Sequence, residues 1–288
     1  MTLRSYLELC KLRIGFMIAL TAMVGYAAVA ETLDVAHLLT LALAMLLGSA
    51  ASSVFNHFYD RDIDGLMKRT ARRPLVTGAM GDPRAALWLA AGLLVVGCGL
   101  ATLTFNWAVA VHLFLGAFVY GIVYTVWLKR RTWLNIVIGG AAGSFAIMAG
   151  AAAVDPGQWL LPTVMAVFLF LWTPSHFWAL AILLREDYAK AGVPMLPVLV
   201  GDARTARAIL LNTVLLVASS LVPWMMGGLG AIYGVLALVL GAWFLWKSWR
   251  LVREPTHVEA RRVFFGSMSY LGGVFLAVVL DKHLPAVF

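Results

Sequence analysis

The chain has 288 residues, of which 62% are apolar and only 12% are charged. Soluble proteins carry about a quarter charged residues, so this composition excludes a water-soluble globular protein and predicts a protein embedded in lipid. The 22 lysines and arginines outnumber the 14 aspartates and glutamates. In a membrane protein this net charge of +8 indicates cations gathered at one face, and we expect no nucleic-acid partner.

Nine apolar stretches are long enough to cross a bilayer as helices, which takes about 20 residues. In chain order they cover residues 14–30, 36–58, 84–104, 107–127, 133–153, 159–183, 206–226, 229–247 and 263–280. We therefore predict an all-α membrane protein with nine transmembrane helices, forming a single integral-membrane domain over residues 1–288.

The connections between these helices alternate in charge. Those after helices 2, 4, 6 and 8 are basic or long, and the others are short and acidic or neutral. With this topology every lysine and arginine except Lys282 lies on one face, which is predicted to be cytoplasmic. The N-terminus is then cytoplasmic and the C-terminus periplasmic. The first helix lacks a small-residue cleavage site, and the absence of a transit peptide favours a bacterial inner membrane.

Three oxygen-bearing side chains stand where helix 2 reaches the cytoplasmic face. Asn56, Asp60 and Asp64 are spaced by four residues and share one face if the helix continues. Clustered carboxylates repel each other unless a cation neutralises them. Hard oxygen ligands suit Mg²⁺, which commonly binds carboxylates together with phosphate oxygens. The spacing therefore predicts a Mg²⁺–diphosphate site, with Mn²⁺ as the alternative ion.

The sequence of this segment allows two other interpretations. A solvated helix end would carry similar charges without binding a metal. A calcium loop would begin in the same way at Asp60, but Ala71 stands at the position where that loop needs a bidentate glutamate. We therefore exclude the calcium loop.

Basic residues close to the acids are candidates for binding a diphosphate. Lys68 and Arg72 follow the acidic residues, and Lys129 follows helix 4. The same cations could instead set the topology near anionic lipid. A second charged cluster, Arg185 to Tyr188, follows helix 6, where its predicted position opposite the first cluster gives it weight.

One histidine lies within an otherwise apolar membrane helix. His176 follows Pro174 by two residues. An ionisable side chain inside a membrane helix is a candidate functional residue, although an interhelical hydrogen bond explains it equally well. His57 and His112 are weaker candidates of the same kind.

The sequence around the acids resembles the first signature of the UbiA-type intramembrane prenyltransferases, in the branch that farnesylates haem. The resemblance rests on the spaced trio Asn56, Asp60 and Asp64 and continues through Thr70 to Gly78. Three further stretches, at about 124–140, 176–181 and 187–198, are similar to the same branch. Two positions depart from the usual pattern of this branch: Leu12 replaces a proline, and residues 144–147 contain no proline. Asp187 has Leu183 where the wider superfamily usually has a second aspartate, and the haem branch shares this difference.

The resemblance implies a helical bundle around a central cavity open toward the cytoplasmic side. It also implies transfer of the farnesyl group of farnesyl diphosphate to a vinyl group of protohaem IX (haem B), with addition of water, giving haem O and diphosphate. The residues and the resemblance together yield three sets of site residues. The catalytic and metal-binding set is Asn56, Asp60, Asp64, Asp187 and Glu186; the diphosphate-binding set is Lys68, Arg72, Arg73, Lys129, Arg130 and Tyr124; the haem-binding set is His176, Trp172 and His57.

Other functions remain open from the sequence. A UbiA-type enzyme acting on a quinone or chlorin precursor would need the same diphosphate site. A secondary transporter would usually place its charges near the bilayer midplane, not at one boundary. A non-catalytic oxidase-assembly protein would need no Mg²⁺. Besides the two substrates and membrane lipid, the expected partners are a downstream haem-modifying enzyme or the assembly of a terminal oxidase.

Overall fold

The computed structural model describes residues 3–79 and 82–284, and side chains from Ser5 onward. The two ends of the domain predicted over 1–288, and the Arg4 side chain assigned to the cytoplasmic face, lie outside this description. The α-helices are α1 (Leu3–Cys10), α2 (Leu12–Val29), α3 (Val35–Tyr59), α4 (Arg61–Asp64), α5 (Arg84–Thr104), α6 (Trp107–Phe118), α7 (Asn135–Gly139), α8 (Ala141–Ala152), α9 (Leu160–Leu183), α10 (Arg185–Lys190), α11 (Leu196–Met225), α12 (Ala231–Arg253) and α13 (His257–His283). A π-helical segment, π1 (Val119–Leu128), continues α6.

Nine helical spans within the described residues are long and apolar enough to cross a membrane. Two of them are composite, because α6 runs on into π1 and α7 combines with α8. The chain is therefore a multi-pass integral membrane protein, and the predicted all-helical fold with nine spans is confirmed.

Several helices extend further than hydropathy predicts. The seventh span begins at Leu196 instead of 206, and Gly201 interrupts its helical geometry with φ 79°. Pro197 starts this helix favourably because the first turn needs no bond from its nitrogen. The last span begins at His257, where the Thr256 side chain accepts a hydrogen bond from the Glu259 amide. Hydropathy detects the lipid-embedded part of a helix, whereas charged turns beyond the lipid remain helical.

Glycine allows α2 and α8 to pack backbone against backbone. A Cβ atom on Gly150 would lie 1.8 Å from the Ala22 carbonyl oxygen, and one on Gly25 would lie 2.2 Å from the Ile147 carbonyl oxygen. Small residues permit such close approach between membrane helices. This contact fixes α2 in the bundle, and with it Lys11, which immediately precedes α2 on the face where the acidic residues lie.

Candidate active site

The three spaced oxygen donors lie on one inward-facing stripe, as predicted. α3 ends at Tyr59, but hydrogen bonds from Asp60 N to Asn56 O (2.9 Å) and from Asp64 N to Asp60 O (2.8 Å) carry the helical path across the junction. Asn56, Asp60 and Asp64 are 3%, 0% and 1% exposed. A solvated helix end would expose these side chains, so that alternative is wrong.

Each buried carboxylate is paired with a cation. Lys129 Nζ donates to Asp60 Oδ2, and Arg130 Nη2 lies 3.3 Å from Asp60 Oδ1. Arg73 Nη1 donates to Asp64 Oδ2 at 2.5 Å. Buried charges are tolerated when they are paired in this way. Three members of the predicted diphosphate-binding set therefore lie directly beside the acids.

Arg130 also joins the acids to the surface. Its guanidinium donates to both carboxylate oxygens of the exposed Asp62, at 2.7 Å each. This bidentate pair raises the pKa of Arg130, and the hydrogen bond from Arg130 lowers the pKa of Asp62. Arg130 therefore stays charged at the mouth of the site.

Lys11 is a site residue that the sequence analysis did not identify. It has a left-handed backbone with φ 44°, which turns the chain between α1 and α2. Its ammonium group donates to Asn56 Oδ1 at 2.9 Å and lies 3.5 Å from the Tyr120 hydroxyl. Burial, with the nearby charges of Arg73 and Lys129, holds the pKa of Lys11 well below its ordinary value. Nothing in the local sequence marks this turn.

The π-helical segment places the Thr125 hydroxyl and the Lys129 ammonium group beside the acidic stripe. π1 uses hydrogen bonds to the carbonyl five residues earlier, as in Lys129 N to Tyr124 O at 2.8 Å. Thr125, which is fully buried, accepts from the Asn56 amide at 3.2 Å and donates to the Tyr120 carbonyl at 2.8 Å. π-Helical turns are often found at functional sites, and this one supplies contacts that a regular helix would place elsewhere.

The remaining predicted cations and acids lie further out. Lys68 and Arg72 are exposed, Glu186 is exposed, and Asp187 is partly exposed on α10. Among the residues described, no group of three or more histidine, cysteine, aspartate or glutamate side chains is arranged around a common metal position. Tyr124 is partly buried against the apolar cluster that contains Ile63, Met67 and Tyr188.

Arg69, which lies in the stretch that carries the resemblance but was not among the predicted site residues, links the two charged segments. Its guanidinium lies close to the hydroxyl of Tyr188, the buried residue of α10 that follows Asp187. Burial raises the pKa of the Tyr188 hydroxyl, so the phenol stays protonated. The contact ties the segment after α4 to α10 and brings Asp187 to the same end of the bundle as the acidic stripe.

The donor set on the stripe fits a hard divalent cation. Asp64 Oδ1 is buried and has no hydrogen-bond partner among the described residues. Unsatisfied buried carboxylate oxygens are costly and indicate a missing ligand. Two carboxylates and the Asn56 amide oxygen form an all-oxygen donor set that suits Mg²⁺ together with phosphate oxygens.

An apolar groove leads from Lys11 and Tyr120 into the membrane part of the bundle. Its lining runs from Lys11 and Tyr120 at one end to Met45 and His112 at the other. Small residues keep it open, among them Gly48, Ser49, Gly116 and Ala142.

The three candidate haem-binding residues do not form one cluster. Trp172 and His176 stack on each other with ring centroids 4.4 Å apart, and His176 is bonded to Ser267 on α13. The interhelical hydrogen bond expected as one alternative is therefore present. His57 is 2% exposed, and neither of its ring nitrogens has a partner among the described residues. The His57 ring lies close enough to the cations Lys11, Arg73 and Lys129 to interact with their charges.

Comparison with known proteins identifies the family. The model of the UbiA prenyltransferase family matches residues 17–273. The chain belongs to this family and is a transferase, which confirms the resemblance found in its sequence and excludes the transporter interpretation. One relative, Protoheme IX farnesyltransferase 1 of Paramagnetospirillum magneticum, is 62% identical over 283 residues, which are 98% of this chain and 100% of the relative.

Solved structures show the same fold. One, reported for digeranylgeranylglyceryl phosphate synthase in membranes, has a TM-score of 0.81 at 20% identity and covers 97% of this chain and 98% of its own. Another, a UbiA homologue from Archaeoglobus fulgidus bound to DMAPP and Mg²⁺, has a TM-score of 0.73 at 20% identity, covering 95% and 99%.

Proposed function

We propose that the chain transfers the farnesyl group of farnesyl diphosphate to a vinyl group of haem B, with addition of water, giving haem O and diphosphate. The observation that carries this proposal is the buried stripe of Asn56, Asp60 and Asp64, which is surrounded by cations and is linked by the Lys11–Asn56 hydrogen bond to an apolar groove that Lys11 lines. The relative that is 62% identical, named as a protoheme IX farnesyltransferase, supports haem as the acceptor.

The stripe would hold the divalent cation, with Mg²⁺ as the proposed ion and Mn²⁺ as the alternative. Bound there, Mg²⁺ would neutralise negative charge on the diphosphate oxygens. The A. fulgidus homologue, bound to DMAPP and Mg²⁺, supports this assignment. The second acidic group, Asp187 and Glu186, is proposed to complete the site from α10, to which Arg69 is already connected.

The cations stabilise the leaving group. The C1–O bond of farnesyl diphosphate breaks, and diphosphate leaves with the electron pair. Negative charge develops on the diphosphate oxygens, which accept hydrogen bonds from Arg73, Lys129 and Arg130. Lys11, beside Asn56, adds a fourth donor. Lys68 and Arg72, which are exposed at the mouth, are proposed to attract the diphosphate as it enters.

The apolar walls protect the allylic cation. The terminal carbon of the haem vinyl group attacks C1, and the new cation next to the porphyrin is captured by water, which then loses a proton. Water must be excluded until the carbon–carbon bond has formed, and the groove beside Tyr120 is lined mainly by small and apolar side chains. The aromatic ring of Tyr124, which stacks on the ring of Tyr120, is proposed to line the same space.

The length of the groove agrees with a farnesyl tail. Tyr120 at the mouth and His112 at the far end are separated by about 12 Å along the helix, at 1.5 Å per residue. Three isoprene units span about 13–15 Å when extended, from standard carbon–carbon bond lengths. A longer tail would have to leave the groove.

Filling the groove should shorten the preferred substrate. Ser49 lines it below the mouth, so Ser49→Phe is expected to reduce the kcat/KM for farnesyl diphosphate about tenfold or more, because a tail of three units no longer fits. Geranyl diphosphate should be used as well as before. Competition between the two diphosphates, with products identified by mass, measures the shift.

The matched control is Leu43→Phe on the same helix, where the side chain is 50% exposed on the outer surface of the bundle. This variant should keep the wild-type preference. An equal loss with both diphosphates in Ser49→Phe would place the tail elsewhere.

A quinone or chlorin precursor is the competing acceptor, since it would use the same diphosphate site. The paired rings of Trp172 and His176 favour haem, because imidazole binds iron and an aromatic ring stacks on a porphyrin face. His57 is proposed to line the space that binds haem, on the side where the cations Lys11, Arg73 and Lys129 lie.

The proposed location is a bacterial inner membrane, with the acids, the N-terminus and the substrate entrance on the cytoplasmic side and the C-terminus in the periplasm. Basic residues cluster at the end of the bundle that carries the acids, which supports this orientation. The product would pass to a haem-modifying enzyme or a terminal oxidase during its assembly, which is the proposed protein partner.

The test is direct. Detergent-solubilised protein is incubated with haem B, farnesyl diphosphate and Mg²⁺, and the pigment is identified by mass. We expect a haem carrying one farnesyl group and one added water, formed only when the metal is present. Prenylation of a quinone or chlorin precursor in its place, or no product with any acceptor, would contradict the proposal.

A further inference from the structure

His112, on α6, stands at the inner end of the apolar groove. The groove begins at Lys11 and Tyr120, and His112 lines its other end. A second cavity lies further from the acidic stripe, beside the connection between α8 and α9, and His112 lines this cavity as well. Within the described residues, His112 is the one residue that belongs to both linings. Its side chain therefore stands between the two spaces.

The second cavity continues the walls of the groove. Near His112 it is lined by Ala108, one turn earlier on α6, and by Ala151 on α8. The same two helices line the groove on the other side of His112, through Gly116 and Ala142. These side chains are small, so the bulk that separates the two spaces along α6 is the imidazole itself.

Packing holds the His112 ring between α6 and α8. The ring stacks on that of Phe145 on α8, with centroids 6.1 Å apart and the planes inclined by 30°. Its Nδ1 atom is buried and has no hydrogen-bond partner among the described residues. His176 differs, because its Nδ1 atom is bonded to Ser267. A hydrogen bond at Nδ1 therefore does not account for His112, and what the ring contributes here is its volume.

The distances along α6 correspond to whole isoprene units. The groove from Tyr120 to His112 covers about 12 Å of helix and ends where a farnesyl tail of three units would end. A fourth unit would add about 4–5 Å to the extended chain, from standard carbon–carbon bond lengths. Ala108 lies about 6 Å beyond His112 along the helix. A fourth unit would therefore have to occupy the position of the imidazole and the start of the second cavity.

We propose that His112 is a specificity-determining residue, whose imidazole closes the groove against the second cavity and stops the isoprenyl chain at three units. This role rests on the proposed function, because it takes the groove as the site of the farnesyl tail. It sets the chain length of the diphosphate substrate, and it predicts that an enzyme without the ring accepts four units.

The experiment compares two diphosphates with the full-length protein in detergent. His112→Ala removes the ring and joins the groove to the second cavity. Transfer to haem B is measured with farnesyl diphosphate and with geranylgeranyl diphosphate, which has four units, and the products are identified by mass. The kcat/KM for geranylgeranyl diphosphate relative to farnesyl diphosphate should rise about tenfold or more above the wild-type ratio, since a pocket discriminates by such factors for each group it excludes.

A binding measurement makes the result independent of the acceptor. The Kd of each diphosphate is measured by calorimetry with Mg²⁺ and without haem. The wild type should bind farnesyl diphosphate more tightly than geranylgeranyl diphosphate. His112→Ala should bind the longer compound at least as tightly as the shorter one, because its last isoprene unit is then buried in the second cavity.

Three further variants make the result specific. His112→Leu keeps a side chain of similar bulk and should keep the wild-type ratio. Val111→Ala is the matched control, since Val111 is the preceding residue of α6 and is 42% exposed on the outer surface; it should leave the ratio unchanged. His112→Val is a milder truncation that should shift the ratio in the same direction, and it decides the question if His112→Ala does not fold.

A wild-type ratio in the folded truncations, or an equal shift in His112→Leu or Val111→Ala, would overturn the inference. The proposed function fails in a different way. If the Kd values change as expected but haem is not prenylated, the reaction is wrong and the role of His112 stands. If farnesylated haem forms but neither the ratio nor the Kd values depend on His112, the role of His112 is wrong and the reaction stands.

Discussion

Replacing Asp64 by asparagine is expected to lower the rate of farnesyl transfer by about 100- to 1,000-fold. The carboxylate is 1% exposed, and its Oδ1 atom has no hydrogen-bond partner among the described residues. Asparagine keeps the shape but removes the charge that a divalent cation needs, and losing one preorganised electrostatic group in an active site costs about this much. The kcat of purified Asp64→Asn under saturating Mg²⁺ measures the effect.

The matched control is Asp62→Asn, two residues earlier on α4. Asp62 is exposed and its pair with Arg130 is at the surface, so kcat should change a few-fold at most. Both variants should be recovered from the membrane in folded form. Near wild-type turnover in Asp64→Asn would disprove its role in metal binding.

Replacing Arg73 by methionine should affect both stability and catalysis. Its guanidinium forms an ion pair with the buried Asp64 carboxylate, at 2.5 Å. Removing one member of a buried ion pair leaves the other charge uncompensated, at a cost of about 3–5 kcal/mol. We expect a lower Tm in the absence of metal, and a loss of transfer rate of about 100-fold, because a donor to the leaving group is also removed.

A double variant separates the two effects. Arg73→Met combined with Asp64→Asn removes both charges. The double variant should therefore recover most of the Tm that Arg73→Met alone loses, while activity stays abolished. Arg84→Met, an exposed arginine at the start of α5, is the control and should leave both quantities unchanged. If Arg73→Met melts at the wild-type temperature, the charge of Asp64 is not balanced by this pair.

The acidic stripe was predictable because a four-residue spacing is a property of the helix itself. Asn56, Asp60 and Asp64 needed only a helical path across residue 60, which backbone hydrogen bonds provide. The nine spans were predictable for a similar reason, since the length and hydropathy of each apolar stretch are local quantities.

The residues that complete the site depend on non-local geometry. Lys11 reaches Asn56 through a left-handed turn that no neighbouring residue marks, and Thr125 reaches it through a π-helical segment. Arg69 contributes through a contact with Tyr188, far along the chain. Ser267 is one of two serines in its helix, and its contact with His176 arises from the packing of α9 on α13. Such contacts arise from tertiary packing, and a single sequence contains no periodic signal for them.

The claim that the stripe holds a divalent cation with the diphosphate can be tested by locating the ion. Crystals grown with Mn²⁺ and farnesyl thiolodiphosphate, an unreactive analogue of the substrate, would show the metal by its anomalous scattering. We predict one peak within coordination distance of carboxylate oxygens of both Asp60 and Asp64, with the diphosphate on its other side. A peak away from these two residues, or diphosphate bound by the cations with no metal beside Asp64, would contradict the claim.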